Sequence, residues 1–194
     1  MIRSFTLALL MGCSALPAFA NDTTAQLETG GLVFTRTDAI SMEEEKLFIS
    51  PTEVRVDYVF RNTSDTPFES YVAFPMPDIE GGPESNIDAG NSASDNFLGF
   101  SVLQDGKDLK PSLQQRVYSG DLDMTDIVAS ANIPMNPLDQ GTRAALAKLP
   151  QPTLDDWQTR GLIMADIYDD GSGEKKDYVP LWTLKSAYWW KTSF

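Results

Sequence analysis

Residues 54–79, VRVDYVFRNTSDTPFESYVAFPMPDI, alternate apolar and polar side chains on either side of a polar interruption. A period of two marks a strand with one buried face, and no helix face accommodates it. Val54, Val56, Tyr58 and Phe60 share one face, with Arg55, Asp57 and Arg61 on the other; beyond NTSDTP, Phe68, Ser70, Val72 and Phe74 again share a face. A turn that sets Phe60 against Phe68 brings Val56 to Val72 and Val54 to Phe74, so both apolar sets meet one core. The spacing therefore predicts a hairpin. Asn62, Ser64 and Asp65 suit its turn because short polar side chains bond nearby backbone, and Pro67 presets its φ. Pro75 and Pro77 cannot donate ladder hydrogen bonds and are expected to end the second strand.

Upstream, GGLVFT (30–35) and KLFIS (46–50) read as short strands separated by an acidic turn at Glu43 to Glu45, and residues 80–96 read as a Gly-, Ser- and Asn-rich loop. In FLGFSVLQDGKDLKPSLQQRVY the Asp105-Gly106 dipeptide predicts a type I′ hairpin in which Gln104 pairs with Lys107 and Val102 faces Leu109. Between 121 and 163 the period turns helical. Asp123 or Thr125 offers a cap to a first helix with the stripe Ile127, Val128 and Ala131; GTRAALAKLP gives a second helix, ended by Pro150. Thr153 with Asp156 resembles a capping box for a third, stopped by Gly161. The closing VPLWTLKSAYWWKTSF returns to alternation, with Trp182, Leu184, Tyr188, Trp190 and Phe194 on one face. Such a stripe marks a buried sheet face rather than a ligand platform. The sequence stops within this strand, which gives the expectation of a chain cut short at its C-terminus.

The start, MIRSFTLALLMGCSALPAFA, has the form of a secretory leader: Arg3, an apolar run too short to span a bilayer, and the small-x-small site Ala18-Phe19-Ala20. Cleavage following Ala20 is expected, giving a periplasmic or secreted single domain over 21–194 with no transmembrane segment. Loss of Arg3 takes the formal charge from -13 to -14, an acidity that sets the protein against nucleic-acid phosphates and anionic lipid. The one cysteine, Cys13, lies in this leader; LMGC is similar to a lipoprotein acylation box, but Met11 fits it poorly. The mature chain is then expected to have no thiol, and at its length an apolar core can stand in for disulfides. Histidine is absent. Ser-His-Asp, Cys-His and His-based metal sets are therefore closed to this sequence.

The segments ETGGLVFTRTDAISMEEEKLFISPTEVRVDYVFRNTSDTPFESYVAFPMPDI, GFSVLQDGKDLKP, SGDLDMTDIVASANIPMNP and VPLWTLKSAYWWKTSF resemble, in order, the bacterial exported proteins grouped as domain-of-unknown-function family 4424. That resemblance implies export and a mainly β fold, and it brings no activity with it. A second resemblance is to the vault and inter-alpha-trypsin (VIT) module, carried by Asn62, Ser64, Asp65, Tyr71, Phe74, Pro75, Pro77, Gly99, Phe100 and Val102. It implies interaction rather than catalysis. Pattern and resemblance together give a fold class: mainly β, an Ig-like or VIT-like antiparallel β-sandwich with a small helical insertion at about 121–163.

Candidate chemistry rests on acidic residues. Laid on a calcium loop, Asp166, Asp170, Glu174 and Asp177 fall at the first, fifth, ninth and twelfth places, but Tyr168 fails at the third and Asp177 is shorter than the usual glutamate. A solvated acidic turn is the preferred reading of this stretch. Asp121, Asp123 and Asp126 gather near a helix start, where the helix dipole accounts for them without catalysis. The expectation is an exported, non-catalytic binding or structural module with no cofactor and an unknown protein or glycan partner. The alternatives are a carboxylate-dependent hydrolase drawing its pair from Asp121, Asp123, Asp166 or Asp170, and a calcium-stabilised interaction module.

Overall fold

The aromatic closing stretch forms the strand around which the main sheet is built. The computed structural model describes residues 23–28, 31–35, 39–67, 69–85 and 94–194. The leader with Arg3, Cys13 and its cleavage site, Phe68, and residues 86–93 lie outside the described residues. In chain order the strands are β1 Thr23–Glu28, β2 Gly31–Thr35, β3 Ile40–Ile49, β4 Val54–Asn62, β5 Glu69–Pro75, β6 Ile79–Glu80, β7 Val102–Gln104, β8 Lys107–Leu109, β9 Ser112–Ser119 and β10 Leu122–Asp123. Helices α1 Thr125–Ser130, α2 Gln140–Leu146 and α3 Gln151–Thr159 follow, and then β11 Ile163–Asp169, β12 Glu174–Pro180 and β13 Thr183–Ser193.

The seven-stranded sheet runs β10-β9-β13-β5-β1-β2, with β6 also on β13. Every described pairing is antiparallel. On the inner face of β13, Leu184 meets Val117 of β9, Tyr188 meets Phe74 of β5, and Trp190 meets Val72. The aromatic alternation thus lines a buried face, as the spacing predicts. β5 ends at Pro75, also as predicted, and the gap is bridged: Met76 N–H donates to Ser186 O at 2.9 Å and Gly81 N–H to Trp182 O at 2.9 Å. Gly81 is required there, because a Cβ would lie 2.6 Å from the Pro180 carbonyl oxygen. On the same inner face the Ser186 hydroxyl is buried without a hydrogen-bond partner among the described residues.

Two expectations are corrected. β4 pairs with β3, not with the strand that follows it. The turn chemistry of NTSDTP forms, with Asn62 Oδ1 accepting from Ser64 N–H at 2.8 Å and Asn62 Nδ2 donating to Thr66 O at 2.9 Å, but the chain crosses there between two sheets. The apolar set Val54, Val56 and Phe60 is matched instead by Ile49, Leu47 and Met42. Glu43 to Glu45 lie inside β3, where the register shifts between Met42 and Glu44 in a bulge. The turn sits later, at Ser50, whose Oγ accepts from Glu53 N–H at 2.9 Å.

The second hairpin forms as read, with Val102 opposite Leu109 and Asp105 and Gly106 at φ 50° and 75°. The helical insertion also forms, with different caps. α1 starts after Met124, α2 is capped by Asp139 accepting from Gly141 N–H at 2.7 Å, and α3 starts after Pro150, which places Thr153 inside the helix. Its end matches the expectation: Gly161 at φ 68°, with Gly161 N–H on Gln158 O and Leu162 N–H on Trp157 O, closes a Schellman motif. The helices pack against β9 and the β11–β12 hairpin, α1 on β9, α2 on β12 and α3 on β11. Val117, Val128, Leu146, Trp157, Leu162 and Trp182 form the centre of that core, and Trp182 Nε1 donates to Met135 O at 2.8 Å.

Candidate functional site

The acidic stretch 166–177 folds as part of a hairpin, β11 with β12, rather than as an ion-wrapping loop. Asp166 faces Asp177 in the middle of the ladder, whereas Asp170 sits in the turn and Glu174 opens β12 opposite Asp169. Calcium needs about six to eight oxygens converging on one point. Here the turn uses its own carboxylates: Asp169 Oδ1 accepts from Gly171 N–H at 2.8 Å, and Asp170 accepts from Ser172 N–H at 3.0 Å and meets Lys175 Nζ at 3.2 Å. Tyr168 OH donates to Asp177 at 2.9 Å. Among the described residues no group of three or more His, Cys, Asp or Glu is placed to hold a metal ion.

The carboxylates named for hydrolysis occupy exposed positions on different elements. Asp121 lies in the turn before β10, Asp123 on β10, Asp166 on β11 and Asp170 in the turn after it. Burial works to raise the Asp123 carboxyl, but hydrogen bonds from the hydroxyl and N–H of Thr125 and from Arg116 outweigh it and hold the group below the usual aspartate range. Ser172, through its hydroxyl and N–H, and then Lys175 hold Asp170 low in the same sense. A general acid on a glycoside needs raised proton affinity. These two carboxyls are tuned the other way, as structural acceptors.

Two surface features were not read from the sequence. The first is an open dish of about 350 Å³ lined by Glu69, Gln104, Asp105, Lys107, Lys191 and Thr192. Lys191 Nζ pairs with Glu69 at 2.6 Å, and Gln104 Nε2 donates to the buried Thr192 hydroxyl. Its walls come from segments far apart in sequence, so no local motif signals it. Its charges balance, two carboxylates against two ammonium groups.

The second is the β3–β4 hairpin. Directly opposed residues share a face, so Met42, Glu45, Leu47, Ile49, Val54, Val56, Tyr58 and Phe60 lie together, a face that is apolar except for Glu45 opposite Tyr58. The base of this face is tied to the body: Phe60 meets the Phe194 ring edge-on at 6.3 Å, and Asn62 Nδ2 donates to Phe194 O at 3.1 Å. Its far end is open, with Leu47 59% exposed and Ile49 and Val54 each 68% exposed. The opposite face carries ion pairs, Lys46 to Glu44 at 2.9 Å and Arg61 to Glu43 at 3.0 Å. The alternation in the sequence signals a buried strand face, yet half of this one meets solvent. Contiguous exposed apolar side chains of this kind mark interaction sites.

The family model described as Domain of unknown function (DUF4424) matches residues 20–194. No curated protein and no solved structure matches the chain.

Proposed function

We propose, from the premise that this chain belongs to the DUF4424 family, that it is an exported, non-catalytic binding or structural module. It acts in the periplasm or outside the cell after cleavage following Ala20, and its partner, a protein or glycan, engages the apolar face of the β3–β4 hairpin. The observation that carries this reading is the exposure of Leu47, Ile49 and Val54 on one strand face, where covering the area still exposed would contribute about 1–2 kcal/mol for each side chain. No helix among the described residues is long and apolar enough to cross a membrane. No metal or cofactor enters the reading.

The test is a pull-down from the native envelope with the full-length exported protein, run beside the Leu47→Asp/Ile49→Asp variant. A species enriched by the parent protein and lost with the variant supports the module. Recovery of nothing, or of the same set by both proteins, argues against it.

A further inference from the structure

The two outer edges of the β3–β4 hairpin differ. The edge of β3 is blunted: its register breaks in a bulge between Met42 and Glu44, and Glu43, Glu44 and Glu45 follow one another there. Bulges and clustered charge are the usual defences of a free strand edge. β4 runs nine residues with no bulge of its own and no proline, and no described strand pairs with its outer side. A two-stranded hairpin is marginal without a third strand or a packed face, so this edge is where pairing would gain most.

We infer that β4 pairs antiparallel with β4 of a second copy, about a two-fold axis through Val56. Charge and face select that register. With Val56 opposite Val56 of the second copy, Arg55 lies opposite Asp57 and Asp57 opposite Arg55, while Val54 meets Tyr58 on the apolar face. A shift of one residue sets apolar against polar side chains. Shifts to neighbouring in-phase registers set Asp57 against Asp57, Arg55 against Arg61, or Arg55 against Arg55, and like charges directly opposite are destabilising. Of the two other charge-matched registers, the one centred on Val54 sets Arg55 against Glu53 but relies on residues 51–53, which precede β4, and the one centred on Val59 draws in Asn62, whose side chain is committed to Phe194. Within one chain Arg55 already reaches Glu53 and Asp57 at 3.5 Å each, and both Arg55 and Asp57 are exposed. The reciprocal pairs therefore fix register, while ladder hydrogen bonds and the Val54–Tyr58 contacts supply the association. The product is a four-stranded sheet, β3-β4-β4-β3, that leaves Leu47 and Ile49 free for another partner.

The test is sedimentation velocity on the processed protein over a broad concentration range, with near-ultraviolet circular dichroism to confirm that the tryptophan core is intact. The parent protein should show a concentration-dependent dimer. Asp57→Arg should weaken it at least tenfold by placing arginines opposite each other, and Arg55→Asp/Asp57→Arg should restore it. A parent protein that stays monomeric throughout, a dimer indifferent to Asp57→Arg, or a double variant that fails to recover overturns the inference. None of these results bears on the pull-down with the Leu47 and Ile49 variant, which reads the apolar face and not the edge.

Discussion

The helix-covered side of the main sheet and the β3–β4 hairpin are built from the same kinds of residue and reach opposite ends of the burial scale. Leu146, Leu162 and Trp182 are wholly buried, whereas Leu47, Ile49 and Val54 are more than half exposed. The difference lies in what covers each face. In the covered region Val117 of β9 shares one buried core with Val128 of α1 and Trp157 of α3; β4 pairs with no described strand but β3. Amphipathic patterning thus sets which side of a strand is apolar, while coverage depends on another layer being supplied.

The largest effect should come from the covered side. Trp182→Ala removes a fully buried indole, its hydrogen bond to Met135 O and its edge contact with Trp157 at 6.4 Å. Denaturant unfolding should show a loss of about 3–5 kcal/mol. Gly81→Ala comes next. Its methyl would press on the Pro180 carbonyl, and neither backbone can yield without disturbing the β6–β13 pairing, so a loss of about 1–3 kcal/mol is expected. Ser186→Ala should move the other way. It removes a buried hydroxyl without a described partner and should raise stability by up to about 1 kcal/mol. A clear loss would mean that the hydroxyl is satisfied in solution and that this face is wetter than it looks.

A smaller effect is expected at the edge of the same core. The folded Asp123 carboxyl is held below its unfolded value, so its contribution is present above about pH 4 and is lost as pH falls through the folded value. Asp123→Asn should therefore flatten the acid limb of stability against pH and cost less than about 1 kcal/mol at neutral pH. Thermal melts from pH 2 to 7 would show it; parallel curves for the two proteins would assign the acid loss to other carboxyls.

Local chemistry was legible wherever a few neighbouring residues decide the outcome. Asp105-Gly106 specified its turn, Gly161 its helix stop, and the closing alternation the buried face of β13. Strand neighbours were not legible. Val54, Val56 and Phe60 match Phe74, Val72 and Phe68 as well as they match Ile49, Leu47 and Met42, so the pattern alone could not choose between two partners. Family membership was readable because it follows segment order, which does not depend on pairing. The β11–β12 hairpin was missed because Asp169, Asp170, Lys175 and Lys176 hide a short alternation in Ile163, Ala165 and Ile167 whose far end is exposed. The dish was invisible for a simpler reason: Glu69 and Lys191 meet only after β5 and β13 have paired.

The smallest expected effect tests the contrast most directly. Leu47→Thr keeps a strand-compatible side chain on β3 while removing apolar surface that is 59% exposed. If solvent covers that face, unfolding of the isolated protein should change by no more than about 0.5 kcal/mol, as is usual for surface positions away from special features. The same substitution should still reduce recovery of the envelope partner, because the lost area matters only when something lies on it. A stability loss approaching that of Trp182→Ala would mean that the hairpin face is already covered in the isolated protein, and the division between a closed core and an open face would fail.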